Sequence, residues 1–203
     1  MSKRITLLKR NRAMSAADFR QHWSVPHAEI ARHLPGLLRY NQNHVLRSST
    51  SNNDQEWPVH GFVELWFRDA DAIAEAAKSD TTRKLIADEP HFLDALTGLI
   101  MSDASLYNGP VFKIFAIDRA GRPADDTVAQ LLASFDQKTF GELARVDTVM
   151  RRQVLASEAH PPAFVALAGF ADRAQATEAF EQAIGAGKSA GLELYLTEEI
   201  RIV

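Results

Sequence analysis

Apolar and polar residues follow one another along the chain in an order that predicts two rounds of strand, helix, strand, strand, helix and strand. The first round opens with a short apolar strand at residues 5–9, followed by Ser15 and Asp18, which resemble a helix capping box. A helix is therefore predicted from Ser15 to the break at residues 35–36. Its apolar face comprises Phe19, Trp23, His27, Ile30, Ala31 and Leu34.

Pro26 lies inside this helical pattern and predicts a kink just before His27, because proline lacks an amide hydrogen. The remaining elements of the first round are a strand at 38–46, a polar stretch at 47–56, a strand at 59–67, a helix at 69–78, a short helix opening at Asp88 with Pro90 in its first turn, and a strand at 99–106.

The second round repeats this order of elements. It comprises a strand at 111–118, a helix from about Asp125, strands at 145–155 and 163–170, a helix at 172–184 and a strand at 192–203. Residues 62–69 resemble 164–172, where we interpret the extra residue as a glycine bulge at Gly169. Two repeats are therefore predicted, with boundaries at 1–109 and 110–203.

Each βαββαβ unit is expected to form a four-stranded antiparallel sheet with both helices on one face. The other face needs a cover, and two such units in one chain can pack their open faces together. The predicted fold class is therefore α+β, with two repeats enclosing a barrel-like cavity suited to a ligand.

Candidate chemistry is concentrated in the first repeat. Alternation along residues 59–67 places four side chains on one face, namely His60, Phe62, Glu64 and Trp66. The neighbouring strand offers Tyr40, Gln42 and His44, whereas the corresponding positions of the second repeat are Phe164, Ala166 and Ala168. This asymmetry favours a pocket in the first repeat, and the alternative is a solvated barrel rim at His60 and Glu64.

His27 lies on the apolar helix face beside the predicted kink and is a candidate acid or base together with Glu64. The alternative is a structural histidine with its hydrogen bonds satisfied.

The composition narrows the function classes. A net charge of -3 gives no basic surface for nucleic acid, and a hydrophobic content of 46% is enough for a sizeable core. The sequence contains no cysteine, which excludes disulfides, thiolate metal sites and a cysteine nucleophile. Neither a signal sequence nor a long apolar stretch is recognised, so a cytoplasmic protein without membrane contact is predicted.

Metal and nucleotide motifs are weak or missing. His60 and Glu64 are separated by roughly 13 Å along one strand, too far to share an ion, although a site assembled from several strands stays open. No metal or cofactor is therefore predicted. Residues 185–189, GAGKS, lack the spacing of a phosphate-binding loop and are interpreted as a helix cap and turn.

Four short motifs, in this order, resemble the EthD-like family of the dimeric α+β barrel (ferredoxin-like) superfamily. They are Phe19-x3-Trp23-x3-His27, Leu34-Pro35-Gly36-Leu37-x2-Tyr40, the run from Gly61 to Phe67, and Asp88-Glu89-x2-Phe92. The resemblance covers roughly residues 3–105, and residues 110–203 are similar only as a degenerate second copy.

The resemblance implies an intrachain version of a barrel that relatives build from two subunits, and a homodimer of such chains stays open. The superfamily includes cofactor-free cyclases, monooxygenases and lactone isomerases. The resemblance also implies that His27 transfers protons and that Glu64 lies near it.

The leading hypothesis is a cofactor-independent lyase, isomerase or cyclase acting on a small apolar oxygenated compound, such as an aromatic, polyketide-like or lactone substrate. Tyr40 and His44 would bind a substrate oxygen, and Phe19, Trp23, His60, Phe62, Trp66 and Phe92 would complete the pocket. The loop at 47–57 is either a lid or an exposed loop. Two alternatives remain: a non-catalytic small-molecule binding protein of a catabolic pathway, and a haem-handling protein.

Overall fold

The computed structural model describes residues 1–49, 57–102, 109–118 and 125–203. The first half of the chain contains β1 (Ser2–Arg10), α1 (Ala16–His22), a π-helical turn (Trp23–His27), α2 (Ala28–Ala31), β2 (Leu37–Ser49), β3 (Gly61–Phe67), α3 (Ala70–Lys78), α4 (Asp80–Phe92) and β4 (Leu93–Met101). The second half contains β5 (Phe112–Ile117), α5 (Asp125–Ala133), β6 (Phe140–Met150), β7 (Phe164–Phe170), α6 (Arg173–Ser189) and β8 (Glu193–Arg201).

Antiparallel strands close into one barrel with the order β1-β3-β2-β8-β5-β7-β6-β4. Each half supplies four consecutive strands of this ring, β4-β1-β3-β2 and β8-β5-β7-β6, and the two sets pair through β2 with β8 and β4 with β6. The α+β barrel predicted from the sequence is confirmed. The boundary between 109 and 110 stays a prediction.

The barrel interior is filled by side chains. Phe62 and Phe115 stack with ring centroids 4.3 Å apart, and Tyr195 meets Phe62 edge-on at 5.2 Å. Around them pack Ile5, Leu7, Val59, Trp66, Leu99, Met101, Ile117, Ala144, Val165 and Leu167. Separate apolar clusters join the outer face of each half of the barrel to its helices.

The first helix contains the predicted irregularity. Ser15 caps α1, since its side-chain oxygen accepts a hydrogen bond from the Asp18 amide at 3.0 Å. Pro26 lies in the π-helical turn, where its missing amide hydrogen interrupts the regular pattern of backbone hydrogen bonds.

Several predicted element bounds were wrong. The helix predicted to open at Asp88 starts at Asp80 under a Ser79 cap, so that Pro90 lies in its last turn. The strands predicted at 99–106 and 145–155 begin earlier, as β4 and β6. Residues 185–189 continue α6, and the turn follows at Gly191, whose φ is +71°.

The predicted strands need three corrections, two to their faces and one to a bulge. Asn41 pairs with Glu64 and Asn43 with Phe62, so these asparagines share the interior face, while Tyr40, Gln42 and His44 point toward the helices. In β7, Val165 and Leu167 point inward, whereas Phe164, Ala166 and Ala168 pack under the second-half helices.

The third correction concerns Gly169, where no bulge is present because β7 pairs without interruption with β5 and β6. A Cβ atom on this residue would lie 2.1 Å from Cγ of Pro110, so the position requires glycine for close approach.

None of the described helices is both long and apolar enough to cross a membrane. Of the polar stretch predicted as a lid or an exposed loop, residues 50–56 lie outside the described residues.

Candidate functional site

A cavity of about 60 Å³ lies between the outer face of the first-half sheet and the helices that cover it. Its volume is several times the roughly 10–15 Å³ that one water molecule needs. Most of its wall is apolar and includes Leu8, Ala31, Leu34, Val63, Leu65 and Leu85. Residues 150–152, which end β6 and follow it, close the cavity from the second half of the chain.

Seven polar residues line this cavity: Arg4, Thr6, His27, Tyr40, Glu89, Arg151 and Arg152. The combination of an apolar wall and a few polar groups is typical of small-molecule sites. The predicted position of the pocket, inside the barrel, was therefore wrong. Both faces of the first-half sheet are covered, and the space lies on the helix side.

His27 at the end of the π-helical turn pairs with a carboxylate in the last turn of α4. Its Nδ1 lies 2.8 Å from Oδ2 of Asp88, and its ring is 4.8 Å from the ring of Phe92. Among the residues that the structure describes, none hydrogen-bonds to Nε2. The neutral ring therefore donates from Nδ1 and keeps the Nε2 lone pair available, the tautomer that a general base requires.

Asp88 also accepts from His22, whose Nε2 lies 3.0 Å and 3.2 Å from its two oxygens. Burial acts to raise the pKa of Asp88, but the hydrogen bonds from His27 and His22 outweigh it, and the net result is a lowered pKa. Asp88 is therefore a carboxylate near neutral pH and can fix the orientation of His27.

Tyr40 lines the cavity and keeps a hydroxyl hydrogen that the described contacts do not use. Its oxygen accepts from Nε1 of Trp23 at 3.1 Å and from Nε2 of Gln42 at 2.6 Å. Gln42 Nε2 also donates to the Trp23 carbonyl at 2.8 Å, which fixes the amide orientation. Since both lone pairs of the phenol oxygen are used, its own hydrogen remains for another acceptor. Burial raises the pKa of Tyr40 well above its usual value, so the phenol stays protonated.

Glu89 and Arg152 form an ion pair across the two halves of the chain. Nη2 of Arg152 lies 2.9 Å from Oε1 of Glu89, and its Nε lies 3.1 Å from Oε2. Both carboxylate oxygens are thus satisfied by a two-pronged guanidinium contact, the strong geometry for such pairs.

The structure brings together only some of the predicted site residues. His27 and Tyr40 line the cavity, and Phe92 packs against His27. Phe19 and Trp23 are buried and do not line the cavity; their ring centroids are 5.5 Å apart. His44 contacts Trp23 and Gln42 rather than the cavity.

His60, Phe62, Glu64 and Trp66 lie elsewhere. His60 lies just before β3 begins, and its Nδ1 accepts from the Arg10 amide at 3.2 Å. Phe62 and Trp66 are in the barrel interior. Glu64 is also inside, where it pairs with Lys3 at 3.0 Å and Lys113 at 2.6 Å. His27 and Glu64 are therefore on opposite faces of the sheet, and the expectation that they share one hollow was wrong.

Sequence reasoning missed Arg4, Thr6 and Arg152, and it interpreted Asp88 as a helix start. The four-residue spacing from Asp88 to Phe92 gave a signal, since both lie on one helix and contact His27. In the described residues, no three histidine, aspartate or glutamate side chains are grouped to hold a metal ion.

Comparisons with known proteins agree with this fold. Residues 11–96 match the model of the EthD domain, which confirms the resemblance predicted for the first half. The matched range contains His27, Tyr40 and Asp88 but not Arg4 or Arg152. No curated protein matches the chain.

Two solved structures are similar. An anthrone oxidase-like protein is 9% identical, with a TM-score of 0.57 over 99% of this chain and 93% of that chain. An EthD family protein from Bacillus halodurans C-125 is 21% identical, with a TM-score of 0.42 over 51% of this chain and 99% of that chain. Identity at the level of the first structure shows the fold alone.

Proposed function

We propose that this chain, whose residues 11–96 match the EthD domain, is an enzyme that moves a proton on a small oxygenated compound bound in the cavity. The observation that carries the proposal is the pair of His27 and Asp88, 2.8 Å apart, with the second imidazole nitrogen left without a partner in the described chain. His27 is the acid and base, and Asp88 is its positioning residue.

The step begins with Nε2 of His27 taking a proton from a carbon next to a carbonyl group. The C–H bond breaks, its electron pair moves to the carbonyl oxygen, and an enolate forms. Asp88 stabilises the imidazolium that results, because a carboxylate at Nδ1 favours the charged ring. The imidazolium then returns a proton to the same carbon or to another atom of the substrate, so that the step needs no oxidant or reductant. In D₂O the proton held on the ring can exchange with solvent first, and the enolate then takes up deuterium.

Tyr40 supports this step as a donor. Its hydroxyl hydrogen is left over after the contacts with Trp23 and Gln42, and it is held in a covered site. A donor fixed in place before the reaction stabilises the oxygen on which negative charge develops. Glu64 has no part in the proposal, since its carboxylate is in the barrel interior.

Exchange of carbon-bound hydrogen for deuterium tests the proposal. The protein in D₂O is mixed with acetoacetamide, an aryl methyl ketone and a small lactone, and loss of the proton signals is followed by NMR. Wild-type protein should exchange at least one of them faster than buffer. His27→Asn should lower that rate by about 100-fold, because general-base catalysis contributes roughly that much.

Asp88→Asn sharpens the test. An asparagine amide can donate to Nδ1 of His27, which places the ring hydrogen on Nε2 and blocks the base. The loss should approach that of His27→Asn. His33→Asn is the matched control, since the His33 side chain is exposed and, among the described residues, pairs with Glu29. Equal rates in wild type and His27→Asn would overturn the proposal, as would binding of these compounds without exchange, which is the behaviour of a carrier.

A further inference from the structure

Arg4 on β1 is a cavity-lining cation with unmet hydrogen-bonding capacity. No residue in the described part of the chain forms a hydrogen bond or ion pair with its guanidinium, and its Nε is buried without a partner. Glu89, the carboxylate that lines the same cavity, is taken by Arg152 through both oxygens. Leaving a guanidinium unpaired in a covered site is costly unless a ligand completes it.

Two further groups with spare donors accompany Arg4. Thr6 lies two residues along the same face of β1, and its buried hydroxyl has no partner among the described residues. The Tyr40 hydroxyl has used both lone pairs and keeps its hydrogen. Apart from the Nε2 lone pair of His27, the unmet capacity of these buried groups consists of donors and one positive charge, so a complementary ligand must bring acceptor oxygens and negative charge.

The charged side chains of the cavity wall carry a net positive charge, which also favours a negatively charged ligand. Three arginines, Arg4, Arg151 and Arg152, line it together with one carboxylate, Glu89. Burial and the nearby Arg152 lower the pKa of Arg4 to about 10, opposed by Glu89 and Tyr40, so that Arg4 remains charged at neutral pH. An anion that enters this space offsets the repulsion between Arg4 and Arg152.

We infer that the cavity binds a small organic acid, with its carboxylate held by Arg4 and its apolar part against the leucine wall. This inference deepens the proposed function, and rests on it, by naming the substrate class of the same site. A planar guanidinium matches a carboxylate through two parallel hydrogen bonds, which a lysine cannot reproduce. Thr6 supplies a further donor beside it, and Tyr40 remains for the carbonyl oxygen on which charge develops.

Paired ligands test the acid preference. Binding of acetoacetate and of its neutral amide, acetoacetamide, is measured by calorimetry on the full chain. The wild type should bind the acid more tightly, and Arg4→Met should weaken acid binding by about 30-fold while leaving amide binding within about twofold. The affinity of Arg4→Lys for the acid should lie between those of the wild type and Arg4→Met, because lysine keeps the charge but loses the paired contact.

Arg12→Met is the matched control, since the Arg12 side chain is 93% exposed and should leave both affinities unchanged. Urea unfolding without ligand provides a second measurement. Removal of an unpaired guanidinium should leave the stability of Arg4→Met unchanged or raised. A fall in stability with the acid preference intact would mean that Arg4 serves folding, and would overturn the inference.

The same ligands in His27→Asn separate this inference from the proposed function. Acid preference in that variant should persist, because it depends on Arg4 and not on proton transfer. If the preference holds but no deuterium exchange occurs in wild type, the proposed chemistry alone fails. If exchange occurs but acid and amide bind equally well, the substrate class fails.

Discussion

His44 shows how strongly its surroundings determine the charge of a single residue. It is 1% exposed, its ring centroid lies 4.3 Å from that of Trp23, and Nε2 lies 3.2 Å from Oε1 of Gln42. Burial, assisted by Arg20, lowers the pKa of His44 to about 3. The imidazole is therefore neutral in the folded protein across the physiological range, and it helps to position the Gln42 amide that binds Tyr40.

This shift predicts a pH-dependent loss of stability. Below the ordinary histidine pKa of about 6.5, His44 becomes protonated in the unfolded chain. In the folded chain it stays neutral down to about pH 3. Stability should therefore fall as the pH decreases, by about 1.6 kcal/mol between pH 6.5 and pH 5 from this group. Urea unfolding of wild type and His44→Gln at both pH values should show a smaller decrease in the variant.

His33→Gln is the control at this scale, because the His33 side chain is 68% exposed. Its decrease between the two pH values should match that of wild type. An unchanged decrease in His44→Gln would show that His44 is protonated in the folded protein.

At the scale of elements, helix α6 contains two glycines in contrasting surroundings. A Cβ atom on Gly185 would meet nothing within 4 Å, whereas one on Gly187 would lie 2.7 Å from Cδ1 of Leu194. Gly187 thus allows α6 to approach β8 closely, while Gly185 only lowers helix propensity.

Alanine at these two positions should change stability in opposite directions. Gly185→Ala should raise the free energy of unfolding by about 0.5–1 kcal/mol, since alanine is the better helix former. Gly187→Ala should lower it by about 1–3 kcal/mol, because the packed Leu194 must move. Thermal unfolding followed by circular dichroism measures both, and two changes of the same sign would contradict the packing of α6 on β8.

Elements with strong local signals could be predicted, and strand register could not. Ser15 and Asp69 cap helices at positions that their residue types indicate. The faces of β2 depend on the pairing of Asn41 with Glu64, and a shift by one residue exchanges the two faces. Nothing local to either strand specifies that pairing.

For a similar reason, only part of the candidate site could be predicted from the sequence. His27 and Tyr40 belong to recognisable motifs, whereas Arg4 and Thr6 lie on a strand with both faces covered. Such a strand has no polar side to distinguish cavity from core. Arg152 reaches the site from a distant part of the sequence, which no local pattern reveals.

For the molecule as a whole, a buried charge network joins the two halves inside the barrel. Glu64 binds Lys3 of β1 at 3.0 Å and Lys113 of β5 at 2.6 Å, and it accepts from Nδ2 of Asn43 at 3.0 Å. Lys3 also pairs with Glu142 and Lys113 with Glu199. One carboxylate thus links strands from both halves in a fully covered space.

Glu64→Gln should weaken the whole barrel. The substitution breaks two fully buried ion pairs at once, although Lys3 keeps Glu142 and Lys113 keeps Glu199, and the expected cost is about 3 kcal/mol. Urea unfolding should show one transition at lower denaturant concentration. Glu181→Gln, which breaks an exposed pair with Arg47, should cost less than about 1 kcal/mol. Equal effects of the two substitutions would contradict a linking role for Glu64.

Closure of the barrel also affects whether molecules associate through their strands at high protein concentration. Each of the eight strands has a neighbour on either side, so the backbone amides and carbonyls along the ring are already engaged. Proteins with an open sheet are prone to recruit a strand from another molecule, the first step toward fibres. In this chain such recruitment would first require the hydrogen bonds between β2 and β8, or between β4 and β6, to break.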